Sequence, residues 1–253
     1  MRTIFVLLVI TSGLIVKMSA IQLKKILPNL HLCPKLNLQG CLPQSLESMK
    51  PYLVRGVPNL EIPSIEPYHK QFYKIIFQNR FIPKCKFTDT FVRGISNFTI
   101  KEVKVANENC DIQFSAYFPF INVTTKLDAF VSLPHTSALI KCNRFRLSSH
   151  IMNVTAEIII HGSNYTDQIT RRKHLYVENV TVEFKNRGDM MITKKQRGTS
   201  GYQNKEANEY FQMKWDTLTS ELKIRLEYLA AEIIQDITHS IYYNFPIYML
   251  MIR

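Results

Sequence analysis

The C-terminal part of the chain carries a stripe of apolar residues at helical spacing, and this stripe constrains the fold more than any other feature. Its members are Phe211, Trp215, Leu218, Leu222, Leu226, Leu229, Ile233, Ile237 and Ile241. Successive members are three or four residues apart, so they share one face of an α-helix. The pattern predicts a helix of roughly 30 residues, about 45 Å long, that ends before Pro246. A coiled coil is the alternative, but no heptad with flanking charges persists along the stripe.

Strands are predicted between about Phe87 and Thr193, where apolar and polar residues alternate with a period of two. The residues expected on the buried face are Ile112, Phe114, Ala116, Phe118, Ile121, Val123, Leu127, Met152, Val154, Ala156, Ile158, Ile160, Val180, Val182 and Phe184. In the first strand the apolar parity changes between Ile100 and Val103, which predicts a β-bulge. We therefore expect an α+β fold in which a long, highly curved antiparallel sheet wraps around the long C-terminal helix.

The N-terminal residues 1–20 have the layout of a secretory signal peptide: Arg2 is followed by an apolar run from Thr3 to Val16 and by small residues up to Ala20. A membrane anchor is the alternative, but a span needs roughly 20 apolar residues, more than this run provides. We expect a secreted, extracellular protein whose residues 21–253 form a single domain. The opening of that domain is predicted to hold a helix from Pro43 to Arg55, kinked or broken at Pro51.

Export permits disulfide bonds, and the chain contains five cysteines. Cys33 and Cys41 are close in sequence and lie beside prolines, so we predict that they form a bridge that clamps the N-terminal segment. The pairing of Cys85, Cys110 and Cys142 stays open, and the odd number leaves at least one thiol free or paired with another chain. No spacing of the CxxC or HxxxH kind is present, so we expect neither a metal site nor a cofactor.

Five Asn-x-Thr sequons predict N-glycosylation in a secreted chain. The acceptor residues are Asn97, Asn122, Asn153, Asn164 and Asn179. The middle residue of every sequon is large and apolar, so in a strand the Asn and Thr share the solvent face and the residue between them is buried. The alternative is that these Asn and Thr are simply the polar residues of solvent-facing strands.

The formal net charge of +12 raises the question of nucleic-acid binding. The basic residues lie mainly in the N-terminal segment and the predicted strands, where glycans would obstruct a broad nucleic-acid footprint, and the predicted helix is acidic. The seven His residues are scattered, and no GxSxG, HExxH, Walker or GxGxxG motif occurs. We therefore expect neither a nucleic-acid partner nor an enzyme.

Several motifs of this sequence follow one another in the same order as in one known family. They are the pair Cys33 and Cys41, the helix that ends at Arg55, Gly56-Val57-Pro58-Asn59-Leu60-Glu61-Ile62-Pro63-Ser64-Ile65-Glu66-Pro67, Gly94-Ile95-Ser96-Asn97-Phe98-Thr99-Ile100, and the helix that enters Asn244-Phe245-Pro246. The chain thereby resembles the juvenile hormone-binding protein/takeout family of insect secreted lipid carriers. The resemblance implies a curved sheet around a C-terminal helix, related to tubular lipid-binding domains, with an elongated apolar cavity between them.

Two departures from the family pattern limit what can be carried over. Glycines expected in the middle strands are mostly missing between Ala138 and Phe184. The second disulfide of the hormone-binding branch ends on the C-terminal helix, and this helix has no Cys. Juvenile hormone is therefore not predicted as the ligand.

The leading hypothesis is a monomeric carrier of a small hydrophobic ligand, an isoprenoid, fatty acid or related lipid. The residues predicted to line its cavity are Phe114, Phe118, Val154, Ile158, Trp215, Leu218, Leu222 and Leu229. The alternative is a basic extracellular protein that docks on anionic membranes or an acidic partner without transporting a ligand.

Overall fold

The computed structural model describes residues 27–34, 37–60, 62–77, 80–106, 111–135, 138–142, 144–168, 171–186, 189–196, 205–246 and 251–252. The predicted signal peptide, Cys110 and most of the loop between the last long strand and the C-terminal helices lie outside these residues.

Most of the described chain is extended. The strands are β1 (Cys33–Pro34), β2 (Tyr68–Ile76), β3 (Lys84–Arg93), β4 (Thr99–Ala106), β5 (Asp111–Ser132), β6 (Leu139–Lys141), β7 (Phe145–Thr166), β8 (Lys173–Asn186), β9 (Asp189–Gln196) and β10 (Met251–Ile252). The helices are α1 (Leu38–Arg55), α2 (Lys205–Met213) and α3 (Trp215–Asn244), and 3₁₀ turns occupy Pro58–Leu60 and Ile95–Asn97.

Strands β2 to β9 form one sheet in the order β2-β3-β5-β7-β8, and every pairing in it is antiparallel. Strand β4 pairs with β5 beyond the end of β3, β6 also pairs with β5, and β9 pairs with β7 beyond the end of β8. Strands β5 and β7 have 22 residues each. Straight strands of that length would span roughly 70 Å, far more than the roughly 45 Å of α3. The sheet is curled into a half-barrel with the C-terminal helix, which confirms the predicted fold class.

The predicted apolar stripe faces the sheet along the C-terminal helices. At one end Phe211 and Leu218 are fully buried in a core that contains Phe145 and Leu127. In the middle Ile233 packs with residues of β2 and β3, and at the other end Ile237 and Ile241 contact a second core around Phe245. The stripe is divided between α2 and α3 at Lys214, but the backbone hydrogen bonds from Lys214 to Tyr210 (3.1 Å) and from Leu218 to Lys214 (3.1 Å) continue across the junction.

Helix α3 is also connected by polar contacts to both edges of the sheet. On the β2 side Lys70 forms an ion pair with Glu232, and Tyr68 Oη donates to Asp236 Oδ2 at 3.1 Å. On the β8 side the backbone N–H of Phe184 donates to a Glu227 carboxylate oxygen at 3.1 Å. These contacts satisfy polar groups at the sheet edges and hold the helix over β5 and β7.

Helix α1 differs from its prediction at its start and at Pro51. It begins at Leu38 instead of Pro43, and it runs without a break through Pro51. Two of its residues, Cys41 and Leu53, are buried, and Cys41 is linked to Cys33 through a disulfide whose Cα atoms are 5.5 Å apart. This packing holds the helix together despite the backbone hydrogen bonds that its prolines cannot donate. The predicted Cys33–Cys41 bridge is confirmed, and Cys85 and Cys142 are buried free thiols.

The predicted strand faces are confirmed with one exception, at Met152. This side chain is 41% exposed, whereas its neighbour Ile151 is 4% exposed. The alternation changes at Asn153, which has a left-handed φ of +56°. Buried positions in β7 are therefore odd-numbered before Asn153 and even-numbered from Val154 onward, so the assignment of Met152 to the buried face is wrong.

Bulges change the alternation in two other strands. The register of β4 against β5 shifts between Ile100 and Glu102, which confirms the bulge predicted from the apolar parity. A second shift, between Thr88 and Phe91 in β3, includes Asp89 with a φ of +51°. This second bulge brings Thr90, which is 6% exposed, onto the inner face of the sheet.

Candidate functional site

A cavity of about 80 Å³ lies between α3 and the inner face of the sheet. The helix contributes the aliphatic side chains of Leu222, Leu226 and Leu229, which are spaced four and three residues apart and so project from one face. Their part of the stripe is only half-buried, in contrast to Leu218, which is fully buried one turn earlier. The cavity therefore occupies the stretch of the apolar stripe that the sheet does not fully cover.

The sheet contributes an apolar wall to the cavity. Its apolar residues include Ile75, Phe87, Val92, Val123, Leu147 and Ile192. They come from strands β2, β3, β5, β7 and β9, so the wall crosses the whole width of the sheet at this level. An apolar ligand in this cavity would be surrounded by aliphatic and aromatic groups on both sides.

Three buried threonine and serine hydroxyl groups interrupt this wall. Thr90 and Thr125 lie 2.8 Å apart through their Oγ1 atoms, and Thr125 Oγ1 also donates to the carbonyl of Thr88 at 3.3 Å. Ser149, on β7, is 8% exposed, and its Oγ has no hydrogen-bond partner among the described residues. The threonine hydroxyls thus satisfy each other, whereas the serine hydroxyl does not find a partner in the protein.

Charged groups are found at the β2 side of the cavity. Lys70 and Arg225 line it, and Lys70 is paired with Glu232. Burial, and then the charge of Glu232, raise the pKa of Tyr73, while the charges of Lys70 and Arg225 act in the opposite direction. Lys70 Nζ lies 5.9 Å from the centroid of the Tyr73 ring on β2, and Arg225 Cζ lies 5.6 Å from the centroid of the exposed Tyr228 ring. Burial, and then the neighbouring Asp236, also raise the pKa of Tyr68 above its ordinary value.

Two of the eight residues predicted for ligand binding, Leu222 and Leu229, line this cavity. Leu218 and Trp215 lie at the α2 end, where the Trp215 ring packs against the core and Lys194 Nζ is 4.0 Å from its centroid. The remaining predicted residues lie under the opposite half of the sheet or in its interior: Phe114, Phe118, Ile158 and Val154. The structure divides the prediction into two groups, because the helix residues lie along α3, whereas Phe114 pairs with Ile158 and Phe118 with Val154 across β5 and β7. A role in ligand binding stays a prediction for all eight.

Sequence reasoning missed the hydroxyl-bearing residues of the cavity. The signal that could have found them is the strand parity: Thr125 shares the buried parity of Val123 and Leu127, and Ser149 shares that of Leu147 and Ile151. A small hydroxyl residue at a position that the pattern buries is unusual in a sheet core. Thr90 carried no comparable signal, because its position depends on the bulge at Asp89.

The predicted glycosylation sites lie away from the cavity wall. Asn97, Asn153, Asn164 and Asn179 are exposed, whereas Asn122 is half-buried and its Oδ1 has no hydrogen-bond partner among the described residues. Among the helices in the described ranges, none has both the length and the apolar content required to cross a bilayer.

A family model described as "Haemolymph juvenile hormone binding protein (JHBP)" matches residues 5–252. The chain belongs to the JHBP family. This confirms the resemblance inferred from the cysteine pair, the proline-rich motif and the helix. No curated protein sequence matches the chain.

The fold is also similar to those of two solved structures. The crystal structure of Epiphyas postvittana Takeout 1 matches with a TM-score of 0.66 and 12% sequence identity, over 88% of this chain and 100% of that chain. At this identity the match establishes a common fold. The crystal structure of lipopolysaccharide binding protein matches with a TM-score of 0.38 and 12% identity, over 80% of this chain and 38% of that chain.

Proposed function

We propose that this JHBP family member is a secreted carrier that binds a small hydrophobic ligand, an isoprenoid, fatty acid or related lipid, between the sheet and α3. The observation that carries the proposal is the apolar cavity of about 80 Å³ against the half-buried Leu222, Leu226 and Leu229. Membership in a family named for binding a hydrophobic hormone supports the same function. Secretion is proposed from the predicted signal peptide, and glycosylation from the sequons.

The size of the cavity limits how a ligand would fit. One water molecule needs roughly 10–15 Å³ of such space, so the cavity holds roughly six water-sized groups. A longer lipid would need α3 to move away from the sheet, or would extend from the cavity along the apolar stripe. Each 100 Å² of apolar surface buried contributes about 2.5 kcal/mol before the entropic cost of association. Affinity should therefore rise with chain length until the space is filled.

The binding test uses displacement of an apolar fluorescent probe, N-phenyl-1-naphthylamine, by isoprenoids and fatty acids. In Val123→Phe a phenyl ring would enter the cavity from β5, and we expect probe and ligand affinity to fall at least tenfold. Val182→Phe is the matched control, because Val182 is also a half-buried valine on the inner face but does not line the cavity. The control should bind like the wild type.

Two results would count against the carrier proposal. One is a wild-type protein that binds neither the probe nor any member of the ligand panel. The other is equal binding by Val123→Phe and Val182→Phe, both shown to be folded by circular dichroism, because the ligand would then occupy another part of the molecule.

A further inference from the structure

Ser149 is the feature of the cavity that a purely hydrocarbon ligand leaves unexplained. Its side chain lines the cavity, and its Oγ is buried without a hydrogen-bond partner among the described residues. Burying a hydroxyl without a partner costs free energy, since it loses its hydrogen bonds to water. An alanine at this position would avoid that cost, and the apolar parity of β7 would favour it.

The residues around Ser149 do not supply the missing hydrogen bond. Val123 lies directly opposite on β5, and Ile192 lies directly opposite on β9. Thr125 is the nearest inward-facing polar residue on β5, diagonal to Ser149, at a separation of roughly 7–8 Å that is typical of diagonal pairs. A ligand atom between these side chains is in a position to bind the Ser149 hydroxyl.

The position of Ser149 also determines the charge of the group that it can bind. Of the lining cations, Lys70 is paired with Glu232 and its Nζ lies 5.9 Å from the Tyr73 ring centroid on β2, whereas Ser149 is on β7. Arg225 Cζ lies 5.6 Å from the centroid of the exposed Tyr228 ring. Strands β3 and β5 separate β2 from β7, so the distance along the sheet is roughly 14 Å at ~4.8 Å per strand. Lys194 is diagonal to Ser149 on β9, but its Nζ lies 4.0 Å from the Trp215 ring centroid and it does not line the cavity. A carboxylate at Ser149 would therefore be buried beside valine and isoleucine without a cation of the cavity lining beside it, which is unfavourable.

We propose that the cavity binds an apolar ligand through an uncharged oxygen, of an alcohol, ketone or ester, that accepts a hydrogen bond from Ser149 Oγ. This inference rests on the proposed carrier function and specifies its ligand class. The apolar remainder of the ligand contacts Leu222, Leu226 and Leu229, so the ligand lies with its oxygen toward β7. The Thr90–Thr125 pair retains lone pairs that can accept from a ligand hydroxyl, which would strengthen binding of an alcohol.

The test compares octanol, 2-octanone, octanoate and octane as competitors of N-phenyl-1-naphthylamine on the wild type, Ser149→Ala and Ser148→Ala. Ser148 is the matched control because it is half-buried on the neighbouring position of β7, where its Oγ lies 3.4 Å from His150 Nε2. We expect Ser149→Ala to lower the affinity for octanol and 2-octanone about three- to tenfold and to leave the affinity for octane unchanged. Ser148→Ala should leave all four affinities unchanged. The wild type should prefer octanol and 2-octanone to octanoate.

A second measurement separates ligand recognition from folding. Because the unpartnered hydroxyl is costly in the free protein, Ser149→Ala should melt at the same temperature as the wild type or higher. If the wild type and Ser149→Ala bind octanol and 2-octanone with equal affinity, the proposed role of Ser149 is wrong. If the probe still binds in that case, the carrier function is retained. Absence of binding by the probe and all four compounds would overturn both proposals.

Discussion

The carboxylate of Glu66 accepts hydrogen bonds from the backbone N–H of Gly94 at 2.9 and 3.0 Å, and from the Ser96 hydroxyl at 3.0 Å. Glu66 belongs to the proline-rich motif that follows α1, and Gly94 and Ser96 belong to the motif that follows β3. The two family motifs are therefore in direct contact. Gly94 has a φ of +87°, and a Cβ built on it would lie 2.3 Å from the carbonyl oxygen of Phe120.

Replacing Gly94 with alanine should destabilise the protein by about 2–3 kcal/mol, because the substitution adds a clash with backbone and a left-handed strain. Urea unfolding followed by Trp215 fluorescence measures the change. Gly40→Ala is the control: Gly40 lies within α1, and its added Cβ would meet only the end of the Asn37 side chain, which can move. The control should be as stable as the wild type or more so. Equal stability of Gly94→Ala and the wild type would disprove the strain argument.

Strand β5 is the element that connects most of the sheet, since it pairs with β3, β4, β6 and β7. Near its C-terminal end, Asp128 is 3% exposed and accepts two hydrogen bonds from Arg144, at 2.9 Å each. Lys141 Nζ lies 3.6 Å from the same carboxylate. The hydrogen bond from Arg144, aided by Lys141, holds the pKa of Asp128 below its ordinary value despite burial. This carboxylate thus connects β5 to the segment between β6 and β7.

Asp128→Asn should lower the free energy of unfolding by about 1–2 kcal/mol at pH 7. Because the folded pKa of Asp128 is depressed, its stabilisation is complete above the pKa of the unfolded chain, about 3.9, and is lost as the pH falls toward the folded value. Urea unfolding of both proteins between pH 2 and pH 7 should give curves that converge at low pH. A difference that stays constant across this range would show that the charge of Asp128 is not the cause.

The elements were predictable from the sequence to different degrees. The positions of β7, β8 and α3 follow from long apolar repeats, which a single residue does not disturb. The exposure of Met152 was not predictable, because a left-handed Asn153 reverses the alternation without changing the composition. Only the helix side of the cavity was predictable, because the apolar stripe indicated Leu222 and Leu229. No local sequence pattern shows where a curved sheet leaves space beneath a helix. That space depends on strand register and on bulges such as the one at Asp89.

At the scale of the whole molecule, the cavity lies between two separate cores. One core is at the α2 end and includes Phe145, Phe211, Cys85 and Cys142. The other is at the α1 end and includes Leu53, Ile65 and Phe245. The Cys33–Cys41 disulfide also lies at the α1 end, because Cys41 is a residue of α1. Between these cores a smaller buried cluster of Tyr68, Val92 and Ile233 borders the cavity. The leucines of α3 that line the cavity are only half-buried, an arrangement that suits reversible entry of a ligand.

The two free thiols provide a test of this division, because both are buried in the α2-end core. Burial raises the pKa of Cys142 to about 12 and also raises the pKa of Cys85, so neither forms a reactive thiolate near neutral pH. Iodoacetamide at pH 8 should therefore label neither residue in the native protein, and both should react after unfolding in urea. Peptide mass mapping distinguishes them from Cys110.

Iodoacetamide labelling of a Cys33→Ser/Cys41→Ser variant tests whether the two ends of the molecule unfold together. Loss of the disulfide removes a constraint at the α1 end only, so we expect Cys85 and Cys142 to stay protected at temperatures where α1 becomes sensitive to protease. Labelling of Cys85 and Cys142 at the same temperature as cleavage of α1 would mean that the two cores open as one unit. Ligand entry would then require a local movement of α3 against the sheet, since the ends could not loosen independently.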